Sequence, residues 1–172
     1  MRCFVGVWVP TEVRDELAAV RPQHAVGVRW VAPERWHVTL AFAGEVGDPA
    51  VRDWRAAVRA GAARLTAPIE AVLGPATMTL GRAVLCVPVD GLDAAAAAVR
   101  KEAAERNLSF DPKPFVGHLT LARARGKGGR VPKGLEGQAM AARWSVVELS
   151  LVASRTTKDG AQYETLATAS AG

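Results

Sequence analysis

Cysteine is scarce in this 172-residue sequence, which contains only Cys3 and Cys86. Both lie in short apolar runs that have the pattern of β-strands. Cysteines this sparse, with no paired spacing, do not supply the ligand set of a structural zinc site. We therefore predict two buried free thiols, no disulfide and no bound metal, and we expect the reducing cytoplasm as the compartment.

The sequence also lacks a long apolar run. No segment approaches the ~20 apolar residues that cross a bilayer. The N-terminal stretch MRCFVGVWVP is apolar but short, and TEVRDELAAV after it has a helical pattern rather than a cleavage site. We therefore predict neither a signal peptide nor a membrane partner. Because no linker or low-complexity segment divides the chain, we expect one domain over residues 1–172.

Acidic residues are absent from the segment 122–134, which is otherwise rich in charge. Its basic residues are Arg123, Arg125, Lys127, Arg130 and Lys133, and together they equal the net charge of the whole chain, +5. Such a segment attracts phosphate and nucleic acid. A charge run of this kind is at least as often a solvated loop, so both interpretations stay open.

Strand and helix patterns follow one another irregularly along the chain. Short apolar or alternating runs predict strands at 2–9, 28–31, 37–43, 69–73, 83–89, 115–122, 144–153 and 161–168. Helical periodicity begins near residues 11, 48 and 91, where Asp48 before Pro49 predicts a side-chain cap. The two halves repeat the same rhythm. The pattern predicts an α+β fold dominated by antiparallel pairing, not a doubly wound sheet.

One motif, His-x-Thr-Leu, occurs twice, and its first copy lies in HVTLAF at residues 37–42. Because side chains alternate across a strand, we expect His37, Thr39 and Ala41 on one face. Phe42 should point to the other face and join the apolar core. One strand would then carry a core face and a face with an imidazole, a hydroxyl and a small residue.

The second copy lies in HLTLAR at residues 118–123. Alternation predicts that His118, Thr120 and Ala122 share a face, opposite to that of the leucines. Strict alternation would turn Arg123 away from His118. A twist or β-bulge near the end of the strand would bring the guanidinium back to that face. Without such an irregularity, Arg123 is a surface residue that opens the basic segment.

The repetition of the motif suggests paired acid–base chemistry. A lone histidine usually hydrogen-bonds to the backbone and has no catalytic role, and His24, which has no such context, is expected at the surface. Two histidines in pseudo-symmetric strands can divide the roles of base and acid in displacement at phosphorus. A metal site is the competing use of His37 and His118, but no carboxylate stands at ligand spacing, so we predict none.

The flanks of the two motifs resemble the 2H phosphoesterase superfamily, and within it the bacterial and archaeal RNA 2′,3′-cyclic phosphodiesterases, also called 2′-5′ RNA ligases. The resemblance is carried by FVGVWVP near the N-terminus, RWVAPERWHVTLAFAGEV in the first half, FVGHLTLARAR in the second half and SRTTKDGAQYETL near the C-terminus. It covers nearly the whole chain. One His-x-Thr-Leu alone is a weak signal, whereas two copies with these flanks are specific.

This resemblance implies a bilobal, pseudo-two-fold α+β fold, with two antiparallel sheets around a central groove and helices outside. It implies hydrolysis of RNA 2′,3′-cyclic phosphate ends to 2′-phosphates without metal or cofactor. His118 would be the base and His37 the acid, while Thr39, Thr120 and Arg123 would bind the phosphate. It also implies reversible 2′-5′ ligation as a secondary reaction, with tRNA fragments among the RNA substrates. We expect a monomer.

Two positions depart from the family pattern. Gly117 stands where proline usually precedes the second histidine, which should loosen the backbone at His118. Ala43 stands where leucine is commoner, and the smaller side chain should be tolerated.

Tyr163, in the late motif, either stacks on a base of the substrate or packs within the protein, with packing favoured.

Two other functions are compatible with the motifs. One is a phosphodiesterase for a small cyclic nucleotide or a 2′-5′ oligonucleotide, although the basic segment favours a polymer. The other is a non-catalytic RNA-binding module, which would show salt-dependent affinity without turnover.

Overall fold

A computed structural model describes residues 1–20, 25–157 and 160–171. His24 lies outside the described residues. The helices are α1 (Thr11–Val20), α2 (Asp48–Ala63) and α3 (Asp93–Glu105). The strands are β1 (Arg2–Trp8), β2 (Val28–Trp30), β3 (His37–Glu45), β4 (Ile69–Leu73), β5 (Met78–Leu80), β6 (Val84–Asp90), β7 (His118–Ala124), β8 (Ala142–Val146), β9 (Glu148–Thr157) and β10 (Gly160–Ser170). Every strand pair in this part of the chain is antiparallel, which confirms the predicted α+β class.

The strands follow one hydrogen-bonded path, in the order β10-β9-β1-β3-β7-β6-β4-β8, with β2 added to β7 and β5 to β6. In the middle of this path, β3 and β7 pair only at Val38 and Leu119. The path therefore consists of two antiparallel halves that meet at one point. These halves correspond to the two lobes that the sequence predicted, and the two copies of the motif lie where they meet.

The outer helices pack through apolar faces, and α2 and α3 also pack against each other. In α2, Trp54, Val58 and Ala62 are buried at helical spacing and form the apolar face. Gly61 on the same helix lies against α3, because a Cβ atom there would be 3.1 Å from the Cα of Val99. No helix in the described ranges is long and apolar enough to cross a bilayer.

Four details of the sequence-based prediction are wrong. The run 144–153 is two strands, because β8 pairs with β4 in one half whereas β9 pairs with β1 in the other, and the exposed Val147 makes the corner. Strand β7 begins at His118, not at residue 115, and β5 was not predicted. The cap of α2 is Gly47, with Asp48 as the first helical residue and no side-chain hydrogen bond.

Candidate active site

The two copies of the motif lie side by side at the centre of the sheet. Val38 of β3 is opposite Leu119 of β7, and both side chains are fully buried. Extending this antiparallel register by one residue sets His37 opposite Thr120 and places Thr39 opposite His118. The four polar side chains therefore lie on the same face of the sheet, around a local two-fold arrangement.

A β-bulge interrupts the alternation of side chains that the sequence predicted in β3. The register of β3 against β1 slips by one residue at Leu40. As a result, Leu40 and Ala41 are both buried in the core, and Phe42 returns to the face of His37. The predictions that Ala41 lies beside His37 and that Phe42 is a core residue are therefore wrong.

The same bulge occurs at the equivalent place in β7. Its register against β6 slips by one residue at Leu121, so that Leu121 and Ala122 are both buried. Arg123 is consequently on the face of His118, although simple alternation would have turned it away. The prediction for Ala122 is wrong, whereas the irregularity anticipated near Arg123 is present.

Both histidine rings are held by the backbone in the same way. The Nδ1 of His37 is 2.7 Å from the carbonyl oxygen of Arg35, and the Nδ1 of His118 is 2.8 Å from that of Val116. A carbonyl oxygen can only accept a hydrogen bond, so each Nδ1 carries its proton and donates. The Nε2 of each neutral ring is then the atom available as a proton acceptor.

One small cavity, of ≈ 90 Å³, contains all five residues that the sequence singled out. It is lined by Val31, Arg35, His37, Thr39, His118, Thr120, Arg123 and Tyr163, and we call it the reaction cavity. Within the described chain, neither threonine hydroxyl has a hydrogen-bond partner in the protein. The cavity combines two imidazoles with hydroxyl and guanidinium donors, a set suited to proton transfer beside a bound anion.

Aromatic side chains surround the ring of His37. Phe4 stacks on it with a centroid distance of 4.6 Å, Tyr163 meets it edge-on at 5.1 Å, and Trp8 does so at 5.5 Å. Tyr163 also contacts Phe4 and lines the reaction cavity, so it packs and remains accessible to a ligand. Sequence analysis did not identify Phe4 and Trp8, although their alternation with Cys3, Val5 and Val7 placed them on the opposite face of β1.

This enclosure changes the acidity of the ring. Burial removes water from the imidazolium form and lowers the pKa of His37 to about 4. The hydrogen bond to the carbonyl of Arg35 opposes that shift, while the charges of Arg123 and His118 add to it. His37 is therefore neutral at pH 7 when the cavity is empty.

His118 borders a larger groove of ≈ 570 Å³ instead. The lining is mostly apolar and includes Thr39, Phe42, Leu80, Pro114, Phe115, Val116 and His118. Arg100 holds the wall of this groove, because its Nε donates to the carbonyl oxygen of Leu40 at 3.1 Å and its Nη1 to that of Lys113 at 2.7 Å. The guanidinium thereby ties the bulge in β3 to the segment before β7.

Gly117 fixes the backbone before His118. The N–H of Val89 donates to its carbonyl oxygen at 2.9 Å, and a Cβ atom at position 117 would lie 2.0 Å from the carbonyl oxygen of Val89. The missing side chain therefore permits a close approach between two backbone segments, which gives glycine a steric reason at this position that the sequence analysis did not identify.

The basic segment 122–134 is divided in the structure. Arg123 lines the reaction cavity, and the Nε of Arg125 donates to the carbonyl oxygen of Val28 at 3.1 Å. The remaining basic side chains, Lys127, Arg130 and Lys133, are exposed. Their exposure is compatible with a solvated loop and with a surface that attracts RNA, so both interpretations of these residues stay predictions. No three His, Cys, Asp or Glu side chains are grouped as metal ligands in the part of the chain that the structure describes.

Known proteins share this arrangement of elements. A family model described as LigT-like phosphoesterase matches residues 7–72, which include the first motif. The RNA 2′,3′-cyclic phosphodiesterase of Thermus thermophilus is 33% identical over 182 aligned positions, covering 96% of this chain and 88% of that protein. The crystal structure of TT0787 from T. thermophilus matches with a TM-score of 0.79 at 30% identity, covering 99% of this chain and 97% of that one. LigT of E. coli has the same fold, with a TM-score of 0.77 at 24% identity over 99% and 96% of the two chains.

Proposed function

The chain belongs to the LigT-like phosphoesterase family, and from this membership we propose that it hydrolyses the terminal 2′,3′-cyclic phosphate of RNA to a 2′-phosphate. The observation that carries the proposal is the pair of histidines in one cavity, each with Nδ1 bonded to a backbone carbonyl. The relative from T. thermophilus, whose name describes a phosphodiesterase for RNA 2′,3′-cyclic phosphates, aligns over nearly the whole chain and supports it.

The proposed reaction needs one proton acceptor and one proton donor. The Nε2 of His118 takes a proton from water as the water oxygen attacks phosphorus. The bond between phosphorus and the 3′ oxygen breaks, and the Nε2–H of His37 gives its proton to that oxygen. Thr39, Thr120 and Arg123 donate hydrogen bonds to the non-bridging phosphate oxygens, where negative charge increases in the transition state.

The acid role of His37 depends on the substrate. The empty cavity lowers the pKa of His37 to about 4, so the ring has no second proton to give at neutral pH. A phosphate anion beside the ring favours the imidazolium form and raises this pKa. We therefore propose that His37 becomes protonated as the anion binds, which couples formation of the acid to the presence of substrate.

We further propose that the reaction needs no metal. In 2′-5′ ligation, a 5′ hydroxyl of another RNA replaces water in the attack on the cyclic phosphate, the bond to the 3′ oxygen breaks, and a 2′-5′ linkage forms. We propose that this is a secondary reaction, because water competes with the attacking hydroxyl. The other expectations also remain proposals: a monomer, cytoplasmic, with tRNA fragments among its substrates. A metal requirement would appear as complete loss of hydrolysis in excess EDTA that zinc or magnesium restores.

The test uses a short RNA that ends in a 2′,3′-cyclic phosphate, with EDTA present. The wild type, His37→Ala and His118→Ala are compared, their folding is checked by circular dichroism, and the position of the product phosphate is determined. We expect a 2′-phosphate from the wild type and a loss of ~100-fold or more in each variant, since a general acid or base contributes at least that much.

Two outcomes would contradict the proposal. RNA that binds in a salt-dependent manner but stays intact would indicate a binding module or an enzyme for a smaller cyclic nucleotide, and a panel of such nucleotides would separate them. Full activity in both histidine variants would show that the repeated motif is not the catalytic site.

A further inference from the structure

A second, smaller cavity of ≈ 70 Å³ adjoins the reaction cavity, and arginines dominate it. It is lined by Arg29, Trp30, Val31, Arg35, Arg123, Ala161 and Tyr163, and we call it the arginine cavity. Three guanidinium groups therefore surround a volume whose lining includes no carboxylate among the described residues. Sequence analysis had singled out only Arg123 of these three.

These three arginines lie at positions where they contribute little to the stability of the protein itself. Arg29 of β2 is directly opposite Arg123 of β7, and like charges at such cross-strand positions destabilise a sheet. Within the described residues, Arg29, Arg35 and Arg123 form no ion pair with a carboxylate. Other arginines do, since Arg64 and Arg106 both pair with Glu102. An anion from outside the protein would relieve the repulsion in the arginine cavity.

The position of this cavity limits which anion it can bind. Val31, Arg35, Arg123 and Tyr163 line the arginine cavity and the reaction cavity alike. An anion in the arginine cavity therefore lies next to the phosphate on which the histidines act. A cyclic mononucleotide with a free 5′ hydroxyl has no second phosphate to place there, whereas an RNA chain has one phosphodiester before its terminal nucleotide.

We propose that Arg29 and Arg35 bind the phosphodiester that joins the terminal nucleotide to the rest of the RNA, beside Arg123, which lines both cavities and binds the cyclic phosphate. This inference rests on the proposed function, because it takes the cyclic phosphate to occupy the reaction cavity. Guanidinium groups suit the task, since their planar donors bind phosphate oxygens in pairs. The arginine cavity then makes the protein selective for oligonucleotides over cyclic mononucleotides.

The experiment compares three substrates with the same terminal base. They are a 2′,3′-cyclic mononucleotide, the dinucleotide with a cyclic phosphate end, and the same dinucleotide with an uncharged methylphosphonate linkage. The wild type is compared with Arg29→Gln, which removes the charge, and Arg29→Lys, which keeps it. Arg59→Ala, on the exposed face of α2, is the matched control for loss of one positive charge.

We expect the wild type to prefer the dinucleotide over the mononucleotide by about 10-fold or more in kcat/KM, because hydrogen bonds to charged groups are worth at least that factor. The methylphosphonate should abolish the preference. Arg29→Gln should reduce it about 3-fold or more, Arg29→Lys should retain most of it, and Arg59→Ala should leave it unchanged. The proposal would be overturned if Arg29→Gln preferred the dinucleotide over the mononucleotide as strongly as the wild type does. It would also be overturned if the wild type hydrolysed the phosphodiester-linked and methylphosphonate-linked dinucleotides with equal kcat/KM.

A binding measurement keeps this test separate from the proposed function. If none of the three substrates is hydrolysed, the proposed function fails, but the affinity of a short oligonucleotide can still be measured against salt. The slope of log affinity against log salt should fall by about one in Arg29→Gln and not in Arg59→Ala. Identical slopes in the two variants would overturn the assignment of Arg29 even then.

Discussion

The two halves of the reaction cavity have the same backbone arrangement around their histidines, but the side chains that surround the two rings differ. Each contributes a histidine whose Nδ1 binds the carbonyl two residues before it, a threonine two residues after it, and a bulge at the following leucine. His37 is enclosed by aromatic rings from β1 and β10. His118 borders an open apolar groove, at whose rim the Val116 side chain is 57% exposed.

The difference arises in the neighbouring strands and not in the motif itself. Trp8 of β1 is opposite His37, whereas Pro88 of β6 is opposite His118. The motif fixes where each ring lies and which nitrogen carries the proton. The neighbouring strand then decides how much water reaches the ring, and therefore how easily it is charged. The two copies of one motif are thereby placed in two different environments.

Of the three effects that test this comparison, the largest is expected for the two threonines, which both halves share. Thr39→Val and Thr120→Val each remove a hydroxyl and keep the β-branched shape. If both hydroxyls bind the phosphate, each variant should lower kcat/KM about 10- to 100-fold, since hydrogen bonds to charged groups are worth roughly 1.5–3 kcal/mol. Thr168→Val, at an exposed position of β10, is the control. Losses that differ by more than about tenfold between Thr39 and Thr120 would show that one half holds the anion.

A smaller effect is expected from the residue before His118. Gly117→Ala forces a Cβ atom towards the carbonyl of Val89, so the backbone has to shift and His118 moves with it. We expect a loss of about 1–3 kcal/mol in the free energy of unfolding and about 10-fold in kcat/KM. Gly134→Ala is the matched control, because no atom lies within 4 Å of an added Cβ there. Equal behaviour of the two variants in urea unfolding would refute the close approach.

The third expected effect is in stability at low pH, and it tests the enclosure of His37. The folded state lowers the pKa of His37 to about 4 from 6.5, so the unfolded chain binds more protons between these values. Stability present at neutral pH is therefore lost as the pH falls, by about 2.5 kcal/mol between roughly pH 7.5 and 4.5.

His37→Gln removes this contribution. Urea unfolding at both pH values should therefore show a smaller acid loss of stability in His37→Gln than in the wild type. If His37→Gln loses as much stability between the two pH values as the wild type does, burial does not lower the pKa of His37.

Most of the elements, and the polar residues that meet between them, could be predicted from the order of the amino acids. Helical and strand periodicities located most elements, because apolar side chains repeat at the spacing of the backbone that buries them. The repeated motif identified His37 and His118, since two acid–base side chains in equivalent strands are rarely a matter of packing. The predicted faces of Phe42 and Ala41 were wrong because the alternation of side chains along one strand does not reveal a β-bulge. Whether a bulge forms depends on how the neighbouring strand pairs.

Only the tertiary structure decided how the two histidines differ. The aromatic enclosure of His37 combines β1 with β10, which are far apart in the chain, and the arginine cavity combines β2 with β7. Solvent access and charge proximity are properties of side chains brought together by folding, and no local spacing records them. The sequence therefore specified the chemical groups of the site, and the packing of distant strands specified which of them are enclosed and which charges lie together.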